Sequence, residues 1–434
     1  MASDSEVQAY VYPEPSLFDE TVSIQIKRLP TCCVFTLHAS TLVGQNSFQC
    51  LAVYCSDENG EIDLNTSPSI GGFYKGIKPM GLLWAMTCST NNQKPMRLIK
   101  REVTTPLVVT ISIYENRRET LEELQKDDSN QIILRFKVTR HYMSPGVKRI
   151  EIKEDSLQGT LFVPPGQGPF PGLINLFGGI PGTLEFKAAL FASHGFATLA
   201  LPYFGIEGLP DHWFNLKMEY FQRAVQFMCN HCSVIGKAGI GIVGVCKGGQ
   251  IALCMADCIQ GVRCVVAVNC AVYSAHNHHM YGSQMWPAVL GNFETSIEKS
   301  GARVTRNCFH YFTPDKEEFT SSIFRFYQRP HIGIMYIASL DDGNVPSEYF
   351  ANTAEILLKR ERHPNYVILR YPGAGHLLEP PYVPHCEYGV FGDFGLAHWG
   401  GSPLLHCRAQ EDAWTKQLNF LRKNFRKSFA QSKM

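Results

Sequence analysis

Two patterns of apolar positions divide the chain. Over the first part apolar and polar side chains alternate: Val22, Ile24 and Ile26 with Ser23, Gln25 and Lys27, and later Leu134, Phe136 and Val138 with Arg135, Lys137 and Thr139. A period of two buries one face of a strand and wets the other, as in an antiparallel sheet. Further β-rich runs fall between them, at Cys33 to Leu37, Phe48 to Tyr54 and Leu107 to Tyr114. Asn59-Gly60 supplies a hairpin turn signal, and helical periodicity is scarce before Glu119. The pattern predicts a small β-sandwich over residues 1–145.

The pattern changes after Ser144-Pro145-Gly146. A hairpin-like pair, Lys148 to Lys153 and Gly159 to Val163, leads into Pro164-Pro165-Gly166. Continuous apolar runs then alternate with helix-length segments: Leu173 to Phe177, Phe196 to Leu201, Gly239 to Val243, Cys264 to Val268, Ile332 to Ala338 and Tyr366 to Tyr371. Runs apolar on both faces suit a parallel sheet covered by helices, so residues 146–434 read as an α/β domain. Trp414, Leu418 and Leu421 recur at helical spacing within Asp412 to Phe429, which predicts a closing amphipathic helix.

Composition narrows the functional classes. Forty basic residues against 39 acidic ones give a net charge of +1, which argues against a nucleic-acid binder, since phosphate neutralisation needs a basic surplus. A hydrophobic share of 45% and a charged share of 18% support a packed core rather than disorder. No run of ~18 apolar residues is present, so no membrane span is expected. Met1 to Tyr10 lacks the basic and then apolar regions of a secretory signal. Fifteen cysteines, mostly single within apolar runs, read as reduced thiols of an intracellular protein. Cys229-x-x-Cys232, with His231 between, has no second half at zinc spacing. His276, His278 and His279 lie in a polar stretch without a carboxylate, so solvated surface is expected there and no metal.

The sharpest chemical feature is Gly244-Val245-Cys246-Lys247-Gly248-Gly249, directly after an apolar strand and before a helix-like segment. This strand–turn–helix with a nucleophile between glycines is the nucleophile elbow. Its glycines are needed because the central residue is strained and its neighbours are crowded. The helix N-terminus favours a thiolate at Cys246. In such proteins the acid and histidine follow in that order. Asp341 and Asp342 end one later strand, and His376 follows the last one in Pro372-Gly373-Ala374-Gly375-His376. The oxyanion donors are expected to be the Lys247 backbone N–H and the loop carrying Gly178 and Gly179.

Longer stretches carry a resemblance. They are Gly71-Gly72-Phe73-Tyr74-Lys75-Gly76, Pro79-Met80-Gly81-Leu82-Leu83-Trp84, Pro164-Pro165-Gly166 through Phe170-Pro171-Gly172, and Leu176-Phe177-Gly178-Gly179. To these are added the elbow, Tyr371 to His376 with Glu379-Pro380-Pro381-Tyr382, and His398-Trp399-Gly400-Gly401. Over nearly its whole length the chain resembles the family of acyl-CoA thioesterases and bile acid-CoA:amino acid N-acyltransferases. The resemblance implies an N-terminal immunoglobulin-like β-sandwich, 1–145, before an α/β-hydrolase catalytic domain, 146–434. The family's acid-to-histidine separation selects Asp342, 34 residues before His376, with Asp341 as the fallback. The stretch from Ala271 to Pro330, expected to cap the acyl pocket, matches the family least.

Hydrolase members typically carry Ser at the elbow and the amino-acid acyltransferases Cys, so Cys246 points to acyl transfer from CoA to an amino acid such as glycine or taurine. Hydrolysis of acyl-CoA to free acid is the alternative, and a non-catalytic lipid- or partner-binding member a third reading. The CoA thioester is a substrate, and no cofactor is implied. The tripeptide Ser432-Lys433-Met434 resembles the peroxisomal S-K-L address, which implies an import receptor as partner and a peroxisomal location, with the cytoplasm as alternative.

Overall fold

The computed structural model describes residues 6–89, 96–126, 132–154, 157–214, 216–312, 320–391 and 395–431. The chain divides into two compact units, Met1–Tyr142 with Glu379–Cys386, and Met143–Leu378 with Glu387–Met434. The expected ranges, 1–145 and 146–434, left no room for the return of Glu379–Cys386 to the first unit. Two contacts help to hold it there. Arg97 makes an ion pair with the buried Glu379 carboxylate, and the Arg140 guanidinium lies 5.9 Å from the Tyr382 ring. Periodicity registers neither contact.

The first unit is mostly strands. Gln8–Tyr12, Ser23–Lys27 and Ile62–Asp63 form one antiparallel sheet in that order. A larger sheet runs Ser16–Leu17, Ile132–His141, Leu107–Glu115, Val34–Val43, Asn46–Cys55 and Gly71–Gly72. Ile24 and Ile26 are buried as their alternation predicts, but of Leu134, Phe136 and Val138 only Val138 is fully buried. The residue two further on, Arg140, is buried too. Its guanidinium donates to the Ser16 hydroxyl (2.9 Å) and the Phe18 carbonyl (2.7 Å). The Asn59-Gly60 turn is present, yet it joins strands of different sheets, and Asp57 caps it by accepting from the backbone N–H of Asn59 and Glu61. The true two-residue hairpin is Gly44-Gln45, between the paired Val43 and Asn46.

The second unit is built on eight strands: β1 (Lys148–Glu154), β2 (Leu157–Val163), β3 (Gly172–Leu176), β4 (Ala197–Ala200), β5 (Ile240–Val245), β6 (Val262–Val268), β7 (Gly333–Ser339) and β8 (Tyr366–Tyr371). Their order in the sheet is β1-β2-β4-β3-β5-β6-β7-β8. The β1–β2 and β2–β4 pairs are antiparallel and every later pair is parallel. This is the α/β-hydrolase arrangement. The strands β3, β5 and β7 are buried at every position, whereas the edge strand β8 is half-buried throughout, as its place in the sheet requires.

Five helices cover the sheet: α1 (Phe186–Ser193), α2 (Met218–Asn230), α3 (Lys247–Cys258), α4 (Ser347–Arg360) and α5 (Pro403–Gln431). Helix α2 buries Phe221, Ala224, Val225 and Met228, one face at helical spacing. Helix α5 begins nine residues before the expected start at Asp412 and packs Trp414 against Phe191, with ring centroids 4.7 Å apart. Between β6 and β7 the chain forms short strands and single turns, among them Ala302–Val304. This strand joins a small sheet with Ile297–Lys299, Leu396–His398 and Tyr388–Val390. No helix among the described residues is long and apolar enough to cross a membrane.

Candidate active site

The carboxyl ends of β3, β5, β6, β7 and β8 carry the candidate residues. Strand β5 turns sharply into α3 at Cys246, whose φ of 55° and ψ of −123° lie in a region that side-chain-bearing residues rarely occupy. Such an outlier persists only where the surroundings hold it. A β-carbon on Gly248 would stand 2.5 Å from the Phe177 carbonyl oxygen and 2.7 Å from that of Leu176, and one on Gly244 would collide with the Gly248 carbonyl. The two glycines therefore let β5, α3 and the end of β3 close on one another. The thiol is thrown forward, half-buried, at the N-terminus of α3.

The structure brings Asp342 and His376 to it. His376 Nδ1 donates to Asp342 Oδ2 at 2.8 Å, and both side chains are almost fully buried. Nε2 is then the nitrogen left to face the sulfur, and the Cys246 thiol and His376 ring share a hydrogen bond. Asp342 is fixed on both oxygens. Oδ1 accepts from the backbone N–H of Asn344 (2.8 Å) and Val345 (2.9 Å), and Oδ2 also accepts from the Ser347 hydroxyl (2.6 Å). The other carboxylate at this turn, Asp341, is exposed, so the geometry brings Asp342 to the histidine and leaves Asp341 aside.

Charge follows geometry. Burial works against a thiolate at Cys246, but the charge and hydrogen bond of His376, with the Lys247 backbone N–H, outweigh it and hold the thiol below its ordinary value. Burial works against an imidazolium at His376. Asp342, with Cys246, overcomes that and raises the ring to about 10. The opposite shifts favour a thiolate–imidazolium pair.

The oxyanion candidates lie on either side of the sulfur. The Lys247 N–H is directed at Cys246. A β-carbon on Gly178 would stand 3.4 Å from Cys246 Sγ, and Gly179 lines the cavity above it. Tyr203 donates its hydroxyl to the carbonyls of Phe177 and Gly178, each at 2.8 Å, which pins this loop.

Sequence reasoning missed three partners. Asn269, fully buried beyond the end of β6, donates from Nδ2 to the His376 carbonyl (2.7 Å) and the Ser339 hydroxyl (3.0 Å) and accepts from Ser339 N–H (2.8 Å). It ties the histidine loop to β6 and β7. Trp399 stacks on the His376 ring, with centroids 5.6 Å apart and planes inclined by 15°. The third is the Lys247 side chain, since the sequence points only to the backbone N–H of this residue. It is buried and donates to the Ala275 carbonyl (2.9 Å) and to the side chains of Gln250 and Asn277, with its ammonium 4.7 Å from the Trp213 ring centroid. Desolvation brings it down to about 7. No motif announces these roles. For Asn269 a buried amide just beyond an apolar strand was the available signal.

The histidines expected on a solvated surface are turned inward. His279 is buried with its Nδ1 2.7 Å from the Ser274 hydroxyl. His278 Nδ1 accepts from Ala288 N–H, and His276 packs against Phe309 with centroids 4.8 Å apart. Burial lowers His276 to about 4, so it is neutral at pH 7. Among the described residues no group of three or more His, Cys, Asp or Glu is arranged to hold a metal ion. The segment expected as a cap contributes His276, Phe293, Arg303, Thr305 and Phe309 to the mostly apolar cavity over Cys246.

Residues 19–154 match the family described as "Acyl-CoA thioester hydrolase/BAAT N-terminal region", and residues 216–427 match "BAAT / Acyl-CoA thioester hydrolase C terminal". The bile acid-CoA:amino acid N-acyltransferase of Mus musculus is 37% identical over 95% of this chain and 96% of its own. Acyl-coenzyme A thioesterase 1 of Rattus norvegicus is 34% identical over 94% of each. The mitochondrial acyl-coenzyme A thioesterase 2 of Homo sapiens is 33% identical over 94% of this chain and 82% of its own. Among solved structures, a putative dienelactone hydrolase of Klebsiella pneumoniae covers 64% of this chain and 98% of its own at 12% identity and a TM-score of 0.38. With both halves matched in sequence and relatives aligned end to end, this chain belongs to the family of acyl-CoA thioester hydrolases and bile acid-CoA:amino acid N-acyltransferases.

Proposed function

We propose that the protein transfers the acyl group of a fatty or bile acyl-CoA to an amino acid, glycine or taurine, through an acyl thioester on Cys246. The observation that carries this reading is the Cys246–His376–Asp342 chain of hydrogen bonds at a strained turn, in a member of a family whose curated relatives bear both activities. The Cys246 thiolate attacks the carbonyl carbon of the CoA thioester. Negative charge develops on the carbonyl oxygen, where the Lys247 N–H and the Gly178–Gly179 loop receive it. As the tetrahedral species collapses, the bond to CoA sulfur breaks and the His376 imidazolium gives its proton to the leaving thiolate. The amine nitrogen of the acceptor then attacks the Cys246 thioester and His376 takes its proton. The C–N bond forms as C–S breaks, which restores the thiolate–imidazolium pair. Asp342 holds the ring tautomer throughout.

Sulfur at the elbow favours amine over water, because a thioester is more reactive toward amines, relative to water, than an oxyester. Hydrolysis to free acid and CoA is the second reading, favoured by the thioesterase relatives. The CoA thioester is itself the substrate, so no cofactor enters the cycle. The N-terminal strands are read as an immunoglobulin-like sandwich. The tripeptide Ser432-Lys433-Met434, which lies outside the described residues, is read as an import-receptor address that sends the enzyme to the peroxisome. The thioesterase 2 relatives of Mus musculus, Homo sapiens and Rattus norvegicus are named as mitochondrial.

The test is product analysis. Full-length protein with a panel of acyl-CoAs is expected to release CoA faster when glycine or taurine is added and to yield the amide by mass spectrometry. Cys246→Ala is expected to abolish CoA release. Free acid alone, at a rate indifferent to amine, identifies a thioesterase, and full CoA release by Cys246→Ala overturns the nucleophile.

A further inference from the structure

The cavity over Cys246 is lined by two cationic side chains and by no carboxylate among the described residues. One cation, the Lys247 ammonium, is consumed by Gln250, Asn277, the Ala275 carbonyl and the face of Trp213. The other is Arg303, at the centre of the strand Ala302–Val304. Ala302 and Val304 point into the protein and are buried, while Arg303 is exposed on the cavity side. Glu298 stands opposite it across the paired strands, yet among the described residues the Arg303 side chain makes no hydrogen bond or ion pair.

Its strand is fastened to the reaction centre. The backbone N–H groups of Thr305 and Arg306 donate to the carbonyl of Gly343, the residue after Asp342, at 2.9 and 3.2 Å. The Thr305 hydroxyl donates to the Asn344 carbonyl at 2.9 Å. On its other edge, Arg303 pairs with Ala397, two residues before the Trp399 that stacks on His376. Thr305 and Asn344 line the cavity with Arg303 and add polar groups beside the guanidinium. An otherwise apolar cavity that opens on a nucleophile and, among the described residues, carries an unpaired guanidinium and no carboxylate is built for a ligand with an apolar part and an anionic end.

We infer that Arg303 anchors the acid group of the accepting amino acid, a carboxylate or a sulfonate, and so presents the amine to the Cys246 thioester. The inference rests on the acyltransferase reading above. A planar guanidinium fork fits carboxylate and sulfonate alike, which suits one site for both glycine and taurine. It also excludes amines that bring no negative charge, so Arg303 sets the acceptor class.

The experiment measures amide formation by the full chain with glycine, taurine and the uncharged analogue glycinamide. Arg303→Met is expected to raise KM for glycine and taurine roughly tenfold or more, the effect of one lost charge-assisted hydrogen bond, with kcat at saturating amine within about threefold. It should also erase the preference for glycine over glycinamide, while Arg303→Lys retains part of it. A wild-type enzyme that makes amide and an Arg303→Met variant with unchanged selectivity overturn the inference. So does a rise in KM confined to acyl-CoA, which assigns the guanidinium to a CoA phosphate. A wild-type enzyme that makes no amide with any amine defeats the acyltransferase reading, and the acceptor site falls with it.

Discussion

The Cys246 thiol differs from two fully buried cysteines of the same unit in its partner. Cys264 and Cys270, fully buried nearby, are pushed up by burial, Cys264 to about 12, whereas Cys246 is held below its ordinary value by His376 and the Lys247 N–H. The sign of this difference is testable. A lowered thiol is anionic at pH values where an ordinary cysteine is still protonated, and His376, raised to about 10, keeps its positive charge through that window. Iodoacetamide labelling of Cys246 across pH, followed by peptide mass spectrometry, is expected to reach half-maximal rate below pH 9. In His376→Gln the half-rise is expected to move above pH 9, because burial, the largest influence on the thiol, is then opposed by the Lys247 N–H alone. Superimposable curves for the two proteins would refute the ion pair. At this scale the choice between Asp341 and Asp342 also resolves. Both follow the same strand, but only Asp342 turns inward to Nδ1, with Ser347 and two backbone N–H groups on its oxygens.

At the scale of elements, the elbow works because three backbones approach to within contact. Strand β5, helix α3 and the end of β3 meet at Gly244, Gly248 and the carbonyls of Leu176 and Phe177. An added methyl at Gly248 would press on backbone, which cannot swing away as a side chain tip would. Gly248→Ala is therefore expected to cost about 1–3 kcal/mol in chemical denaturation and to lower acyl transfer by displacing the Lys247 N–H. An unchanged denaturation midpoint would mean that the strand and helix have slack there. The elbow was readable in advance because its glycines and its strand–helix context are local. The longer start of α5 and the true hairpin at Gly44-Gln45 were not, since both depend on where the neighbouring chain lies.

For the whole molecule, the two units hold different parts of the reading. The α/β unit carries every residue placed at the reaction centre, while the strand-rich unit recovers Glu379–Cys386 from the far end of the chain. On the reading proposed above, cellular destination rests on neither unit but on the terminal tripeptide, so removing Ser432 to Met434 from a fluorescent fusion with a free native C-terminus is expected to disperse a punctate peroxisomal signal. Retention of the puncta would locate the address elsewhere. What the amino-acid order determined unaided is what short-range physics controls. Runs apolar on both faces demand a covered parallel sheet, glycines around Cys246 demand a tight turn, and Pro372-Gly373-Ala374-Gly375 frees His376 after the last strand. The tertiary structure alone decided which buried polar groups meet. It set Asn269 beneath the His376 loop, Trp399 on its ring, the Lys247 ammonium among Gln250, Asn277 and Trp213, and Arg303 in the wall of the cavity that holds the thiol. Apart from Gln250, three residues after Lys247, those partners lie tens of residues apart, and their meeting is imposed by packing of the core, to which side-chain periodicity along the chain is blind.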